Sequence, residues 1–207
     1  MLTTKFKFGI SFVLSLLPFA NIINLLISPI LEFGILVSFI KLSRNQEVSN
    51  LDFLNEFNSF GKVWQVTLQM FLKILLPIIL LFITPILSII LNFATNTDSS
   101  FLLSIIVRII NVLTMPIAMV WLIIRAYSLA LSLYILHDEP ELSSSEIVNK
   151  SISLMKGNKF KFFILNLSFI GWAFLTILTF GIGLILLIPY IQVTTVKFYE
   201  DLIGSNN

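Results

Sequence analysis

Apolar side chains fill this chain in long unbroken runs. Ile74 to Phe93, Pro116 to Leu136 and Phe160 to Phe180 each approach or exceed the ~20 residues that carry a helix across ~30 Å of hydrocarbon. Barrel strands alternate lipid-facing with lumen-facing residues, whereas these runs are apolar on every side, so the pattern predicts helices. The whole chain reads as all-α, a polytopic transmembrane helical bundle of about six spans over roughly 6–27, 30–43, 70–93, 113–136, 160–180 and 184–199. The second stretch is short for a crossing, which keeps open five spans plus a re-entrant segment. Residues 1–207 form one integral-membrane domain in this reading.

Composition agrees with the runs. Hydrophobic residues make up 57% and charged residues 12%, with mean hydropathy +0.99, and a soluble domain this apolar could not cover its own surface. The absence of cysteine excludes disulfides, thiol nucleophiles and thiolate metal sites.

The net charge of +2 says little, but its distribution orients the chain. Of the 13 basic residues, all but Lys73, Arg108 and Arg125 fall in four groups outside the apolar runs: Lys5 and Lys7; Lys41, Arg44 and Lys62; Lys150, Lys156, Lys159 and Lys161; and Lys197. The turns near Asn21–Ser28, Asn96–Ser100 and Gly181–Gly183 hold none. Basic residues stay cytoplasmic during insertion, so both termini and the two long polar segments are expected in the cytoplasm. Lys5 and Lys7 ahead of an apolar stretch imitate a signal peptide, but cleavage after Ala20 would put Pro18 where a small residue is needed; the first helix is read as uncleaved.

The hexamer KFKFGI at 5–10 returns as KFKFFI at 159–164. In both, lysines reach to headgroups while phenylalanines bury in the interface, which makes Lys5, Lys7, Lys156, Lys159 and Lys161 cytoplasmic interface anchors. Each copy opens a hairpin that returns through a proline, Pro29 or Pro189, with a polar residue three positions on, Glu32 or Gln192. Segments 5–43 and 159–199 could thus be parallel repeats flanking the central spans 70–93 and 113–136; the competing reading is that any lysine- and phenylalanine-rich membrane boundary looks this way.

Charges inside apolar runs are costly and need partners. Counted from the cytoplasmic ends, Glu32 and Arg125 each lie roughly 16 Å deep, so an intramembrane pair is expected, either bracing two helices or lying with Gln192 on a substrate path. Arg108 belongs to an outer lead-in helix, Phe101–Val112, and Lys73 is expected to snorkel to the cytoplasm.

Two polar segments read as interfacial amphipathic helices on the cytoplasmic side. Ser49–Lys62 aligns Leu54, Phe57 and Gly61, and Ser143–Lys156 opens with Ser143 and Glu146 in capping-box spacing and places Ile147, Ser151, Leu154 and Met155 on one side. The segment HDEPEL carries the only histidine, His137, and reads as a solvated helix end blocked by Pro140. One histidine beside loop carboxylates is a poor metal set, so neither a metal nor a cofactor is expected. No GxSxG, Walker loop, HExxH or dinucleotide fingerprint occurs, and the lysines form no continuous basic face for nucleic acid.

The segment from Tyr134 to Pro140, Ser151 with Leu154-Met155-Lys156-Gly157, Phe169-Ile170-Gly171-Trp172, Gly181 and Gly183 with Pro189-Tyr190, and Phe198-Tyr199-Glu200 resemble a bacterial integral-membrane family, domain of unknown function 975. Pro29 with Gly34, and Phe57, Phe60 and Gly61, are also similar. The basic amphipathic lead-in usual in that family is nearly missing, and the outer insertion around Asn92–Ser104 is longer than usual. The resemblance implies a polytopic protein of the bacterial cytoplasmic membrane and supplies no catalytic residue.

The function expected first is non-enzymatic: binding of a membrane or peptide partner within the lipid bilayer, as an accessory subunit or as self-protection against a membrane-active peptide. A small transporter or channel using Glu32 and Arg125 is the alternative, and an intramembrane enzyme comes third because no nucleophile or metal set is visible.

Overall fold

The computed structural model describes residues 20–48, 56–94, 101–181 and 183–204. They form α1 (Ala20–Ser43), a 3-10 turn (Glu56–Ser59), α2 (Phe60–Ala94), α3 (Phe101–Leu129), α4 (Ser132–Asp138), α5 (Ser144–Leu154), α6 (Lys159–Leu178) and α7 (Leu184–Gly204), with no strand among the described residues. Four stretches are long and apolar enough to cross a membrane: Ile23–Ser43, Glu56–Ile90, Ile105–Asp138 and Lys159–Leu178. α7 matches them in length but carries Lys197, Glu200 and Asp201 in its last part.

The outer turn expected at Asn21–Ser28 is not there. Helix α1 runs unbroken through it and through Pro29, so the short second crossing becomes a helix of 24 residues, about 36 Å long. Proline is tolerated inside such a helix where a neighbour satisfies the backbone it disturbs. Trp64 of α2 braces this stretch: its Nε1 donates to the Leu26 carbonyl at 2.8 Å, one residue on from the Leu25 carbonyl that Pro29 deprives of its usual donor. The expected first crossing, with Lys5 and Lys7, lies mostly outside the described residues. Phe101–Val112 is likewise no separate lead-in but the first part of α3, continuous through Pro116.

The packed core lies at the lysine-rich end of the helices. It gathers Ile30, Phe33, Val37 and Ile40 of α1, Val63 and Val66 of α2, Leu129 at the end of α3, most of α4, Ile147 and Val148 of α5, Phe162 of α6, and Val196, Tyr199 and Leu202 of α7. Aromatic rings lock it: Tyr127 meets Phe162 edge-on at 5.3 Å, Phe162 meets Phe198 at 5.1 Å, and Tyr134 meets Tyr199 at 5.5 Å.

Helix α5 has the capping box anticipated for it. The Ser143 hydroxyl accepts from the Glu146 amide at 3.3 Å, and Glu146 Oε2 accepts from the Ser143 amide at 2.8 Å. Its apolar side, however, is covered by protein: Ile147, Val148, Ser151 and Met155 are all fully buried in the core, and Ser151 Oγ donates to the Ser128 carbonyl at 2.9 Å. The other expected surface helix falls partly outside the described residues; Glu56–Ser59 is a 3-10 turn and Phe60–Lys62 begin α2.

Away from the core, two antiparallel hairpins remain. One pairs α2 with α3 and the other α6 with α7. Core contacts of α2 end at Ile74 and those of α3 begin at Tyr127, so among the described residues the rest of that hairpin is an arm beyond the core.

Candidate functional site

The densest set of charged contacts closes the lysine-rich end. Helix α1 stops in a Schellman turn: Asn45 takes the left-handed conformation at φ 55, the Gln46 amide donates to Lys41 O at 2.9 Å and the Asn45 amide to Leu42 O at 3.2 Å. This turn sets Arg44 at the helix end, aimed at α4 and α7. Its Nη1 and Nη2 donate to the two carboxylate oxygens of Asp138 at 2.8 and 2.9 Å, and its Nε donates to Glu200 at 3.0 Å. Tyr199 donates its hydroxyl to Asp138 Oδ2 at 3.1 Å. One planar guanidinium thus joins the ends of three helices in the forked geometry that lysine cannot supply. The Asp138 carboxylate, then Glu200, hold the Arg44 charge well above the ordinary arginine range despite partial desolvation.

A second ion pair lies alongside. Lys150 of α5 donates to both oxygens of Glu139, the residue that ends α4. Between the two pairs, α1, α4, α5 and α7 are tied into one closed face. His137 is half-buried next to Asp138. Among the described residues no group of three His, Cys, Asp or Glu side chains converges as a metal site would require.

The residues singled out from the sequence are scattered relative to this clasp. Glu32 is exposed on α1 and Arg125 half-buried on α3. No ion pair among the described residues joins them, and their helices are not packed partners: α1 packs on α7, α2 and α4. Gln192, half-buried, is on α7, so Glu32 and Gln192 share a packed helix pair while Arg125 stands apart. Lys156 and Lys161 are exposed and Lys159 half-buried around the start of α6, at the lysine-rich end; Lys5 and Lys7 lie outside the described residues.

Polar groups within the apolar helices mostly serve their own backbones. Ser38 donates to Gly34 O at 3.0 Å, Thr84 to Leu80 O at 3.1 Å, Asn111 to Val107 O at 2.9 Å, Ser128 to Ile124 O at 2.7 Å and Asn166 to Phe162 O at 2.8 Å. Such bonds satisfy a hydroxyl or amide without offering it to a ligand. Two grooves flank the α6–α7 hairpin. One, about 420 Å³ near the Gly181–Gly183 turn, is lined mainly by Trp172, Leu175, Leu186, Leu187 and Tyr190. The other, about 510 Å³ at the lysine-rich end, is lined by Lys161, Ile164, Leu165, Ser168, Phe198, Asp201 and Leu202.

Sequence reasoning missed the clasp. Arg44 counted only as a topological marker and Asp138 as a solvated helix end; the forked pairing between positions 94 apart has no local signature.

The family model described as a protein of unknown function, DUF975, matches residues 2–206, and the chain belongs to that family. No curated protein and no solved structure matches it.

Proposed function

We propose that this member of the DUF975 family is a non-enzymatic, multi-pass protein of the bacterial cytoplasmic membrane that works by binding a partner within the bilayer, with its lysine-rich end and both termini in the cytoplasm. The partner is either a larger membrane assembly, which it serves as accessory subunit, or a membrane-active peptide, against which it protects its own cell.

The observation that carries this reading is the α2–α3 arm. Helix α2 has 35 residues and spans about 52 Å, well beyond the ~30 Å of a hydrocarbon core, and only 6% of its membrane-compatible window is buried. The same low value holds for α3. Residues such as Ile83, Leu87 and Ile90 on α2 and Ile109 and Leu113 on α3 are more than half exposed. An arm anchored at one end and bare along its length presents two helix faces to anything that packs by van der Waals contact in lipid. Meanwhile most of the polar groups within the apolar helices bond to their own backbones, which supports binding over a hydrated path.

Isolation from native membranes in mild detergent, after photo-crosslinking from residues placed at Leu87 and Leu113, tests the reading. A discrete protein or peptide adduct from these positions, absent when the probe replaces buried Ile40, is expected. A single homogeneous species carrying lipid alone would overturn it.

Transport is the second reading, supported by the placement of Glu32 and Gln192 on the packed α1–α7 pair. Glu32→Gln should then abolish flux in proteoliposomes, and undiminished flux would remove Glu32 from any path.

A further inference from the structure

The groove between the first half of α6 and the last turns of α7 has an apolar floor and two opposite charges at its rim. Ile164, Leu165, Phe198 and Leu202 make the floor, and Lys161 and Asp201 stand at the mouth. The helices run antiparallel from the Gly181–Gly183 turn, so these two residues lie at nearly one level, about 30 Å from the turn, or one hydrocarbon thickness. That is where a lipid changes from acyl chain to headgroup. Ser168 is about 10 Å deeper, and its hydroxyl is spent on the Leu165 carbonyl at 2.7 Å.

Among the described residues no ion pair neutralises either rim charge. The ion pairs among the described residues use Arg44, Asp138, Glu200, Lys150 and Glu139, and none links Lys161 to Asp201. A cation and an anion are therefore presented together, unpaired, over an apolar slot at headgroup depth.

We propose that this groove binds a phospholipid with a primary-amine headgroup, a phosphoethanolamine lipid. Lys161 meets the phosphate, the Asp201 carboxylate accepts hydrogen bonds from the lipid ammonium, and one acyl chain lies along Ile164 and Leu165. Each charge selects. A phosphoglycerol lipid satisfies Lys161 but brings no cation to Asp201, and its net negative charge is repelled there. A phosphocholine lipid brings a cation whose methyl groups cannot donate hydrogen bonds to a carboxylate.

Native mass spectrometry of the full chain, released from vesicles holding equal mole fractions of phosphoethanolamine, phosphoglycerol and phosphocholine lipids, tests the assignment. The phosphoethanolamine adduct should be retained about two- to five-fold over either competitor, the range expected for a partly exposed charge pair. Asp201→Asn should remove the preference over phosphoglycerol lipid, and Lys161→Gln should lower retention of all three lipids, since each carries the phosphate that Lys161 meets. Wild-type protein needs no variant to fold for the first comparison. Equal retention of all three lipids by the wild type, or a preference unchanged in a folded Asp201→Asn variant, would overturn the proposal.

Discussion

Arg44 and Asp138, 94 positions apart, meet through two parallel hydrogen bonds of 2.8 and 2.9 Å, and the same guanidinium reaches Glu200 at 3.0 Å. The pair joins the end of α1 to the end of α4, while Glu200 brings in α7. Among the described residues the clasp holds together the face where most helices converge.

Removing that fork should loosen the face measurably. Both partners are partly solvated, so Arg44→Ala is expected to cost about 1–2 kcal/mol rather than the larger penalty of a fully buried pair. In detergent the thermal midpoint should fall by roughly 2–6 °C. Arg44→Lys should restore less than half of this, because an ammonium keeps the charge but cannot span both oxygens of Asp138 while reaching Glu200. Equal stability of the lysine variant and the wild type would mean that charge alone matters.

Trp64 and Pro29 should be energetically coupled. Trp64→Phe leaves the Leu26 carbonyl without its side-chain donor, one residue from the carbonyl that Pro29 frees, and should cost about 1 kcal/mol. In a Pro29→Ala background the helix regains its own hydrogen bonding, and the same substitution should cost clearly less. A double-mutant cycle read by denaturant unfolding checks this; additive effects would show that the indole bond is independent of the proline.

Glu146 introduces a pH dependence with a definite sign. Hydrogen bonds from the Ser143 hydroxyl and amide hold its carboxyl below the ordinary value of 4.5. A depressed folded value means that the contribution is complete above the unfolded value and is lost as pH falls through the folded one. The stability gap between wild type and Glu146→Gln should therefore be constant from neutral pH down to about 4.5 and shrink below it. Hydrogen exchange of α5 amides against pH is the direct readout, and a gap that widens on acidification would contradict the capping geometry.

Gly183 permits the tight return from α6 to α7. A Cβ there would lie 2.9 Å from Thr176 Cγ2 and 3.1 Å from Thr176 Cα, and the second of these is backbone that cannot rotate away. Gly183→Ala should cost about 1–3 kcal/mol and open the hairpin. Faster proteolysis between α6 and α7 in detergent would report the opening, with Gly171→Ala, whose added Cβ meets nothing within 4 Å, as the matched control.

Much of the architecture was legible in the chain because its causes are local. Unbroken apolar runs longer than a bilayer demand helices, and Ser143 with Glu146 at capping spacing starts α5 where it was expected. The turn at Asn21–Ser28 was misplaced for an equally physical reason: asparagine, serine and proline mark a break in water, yet within a packed apolar helix they do not end it, and α1 runs on through all of them. The side of α5 that buries was legible as well, but lipid and protein are equally apolar hosts for Ile147 and Met155, so its covering was not.

The sequence by itself determined an all-helical chain, the existence of its long apolar segments and the end at which its lysines collect, since hydrophobic length and charge act residue by residue. Only the tertiary structure decided that the helix of Glu32 would pack on the helix of Gln192, that Arg44 would clasp Asp138 and Glu200, and that Lys161 and Asp201 would share a groove. Those outcomes depend on how helices rotate and cross, and apolar surfaces, alike in every direction, leave no trace of that choice in the order of residues.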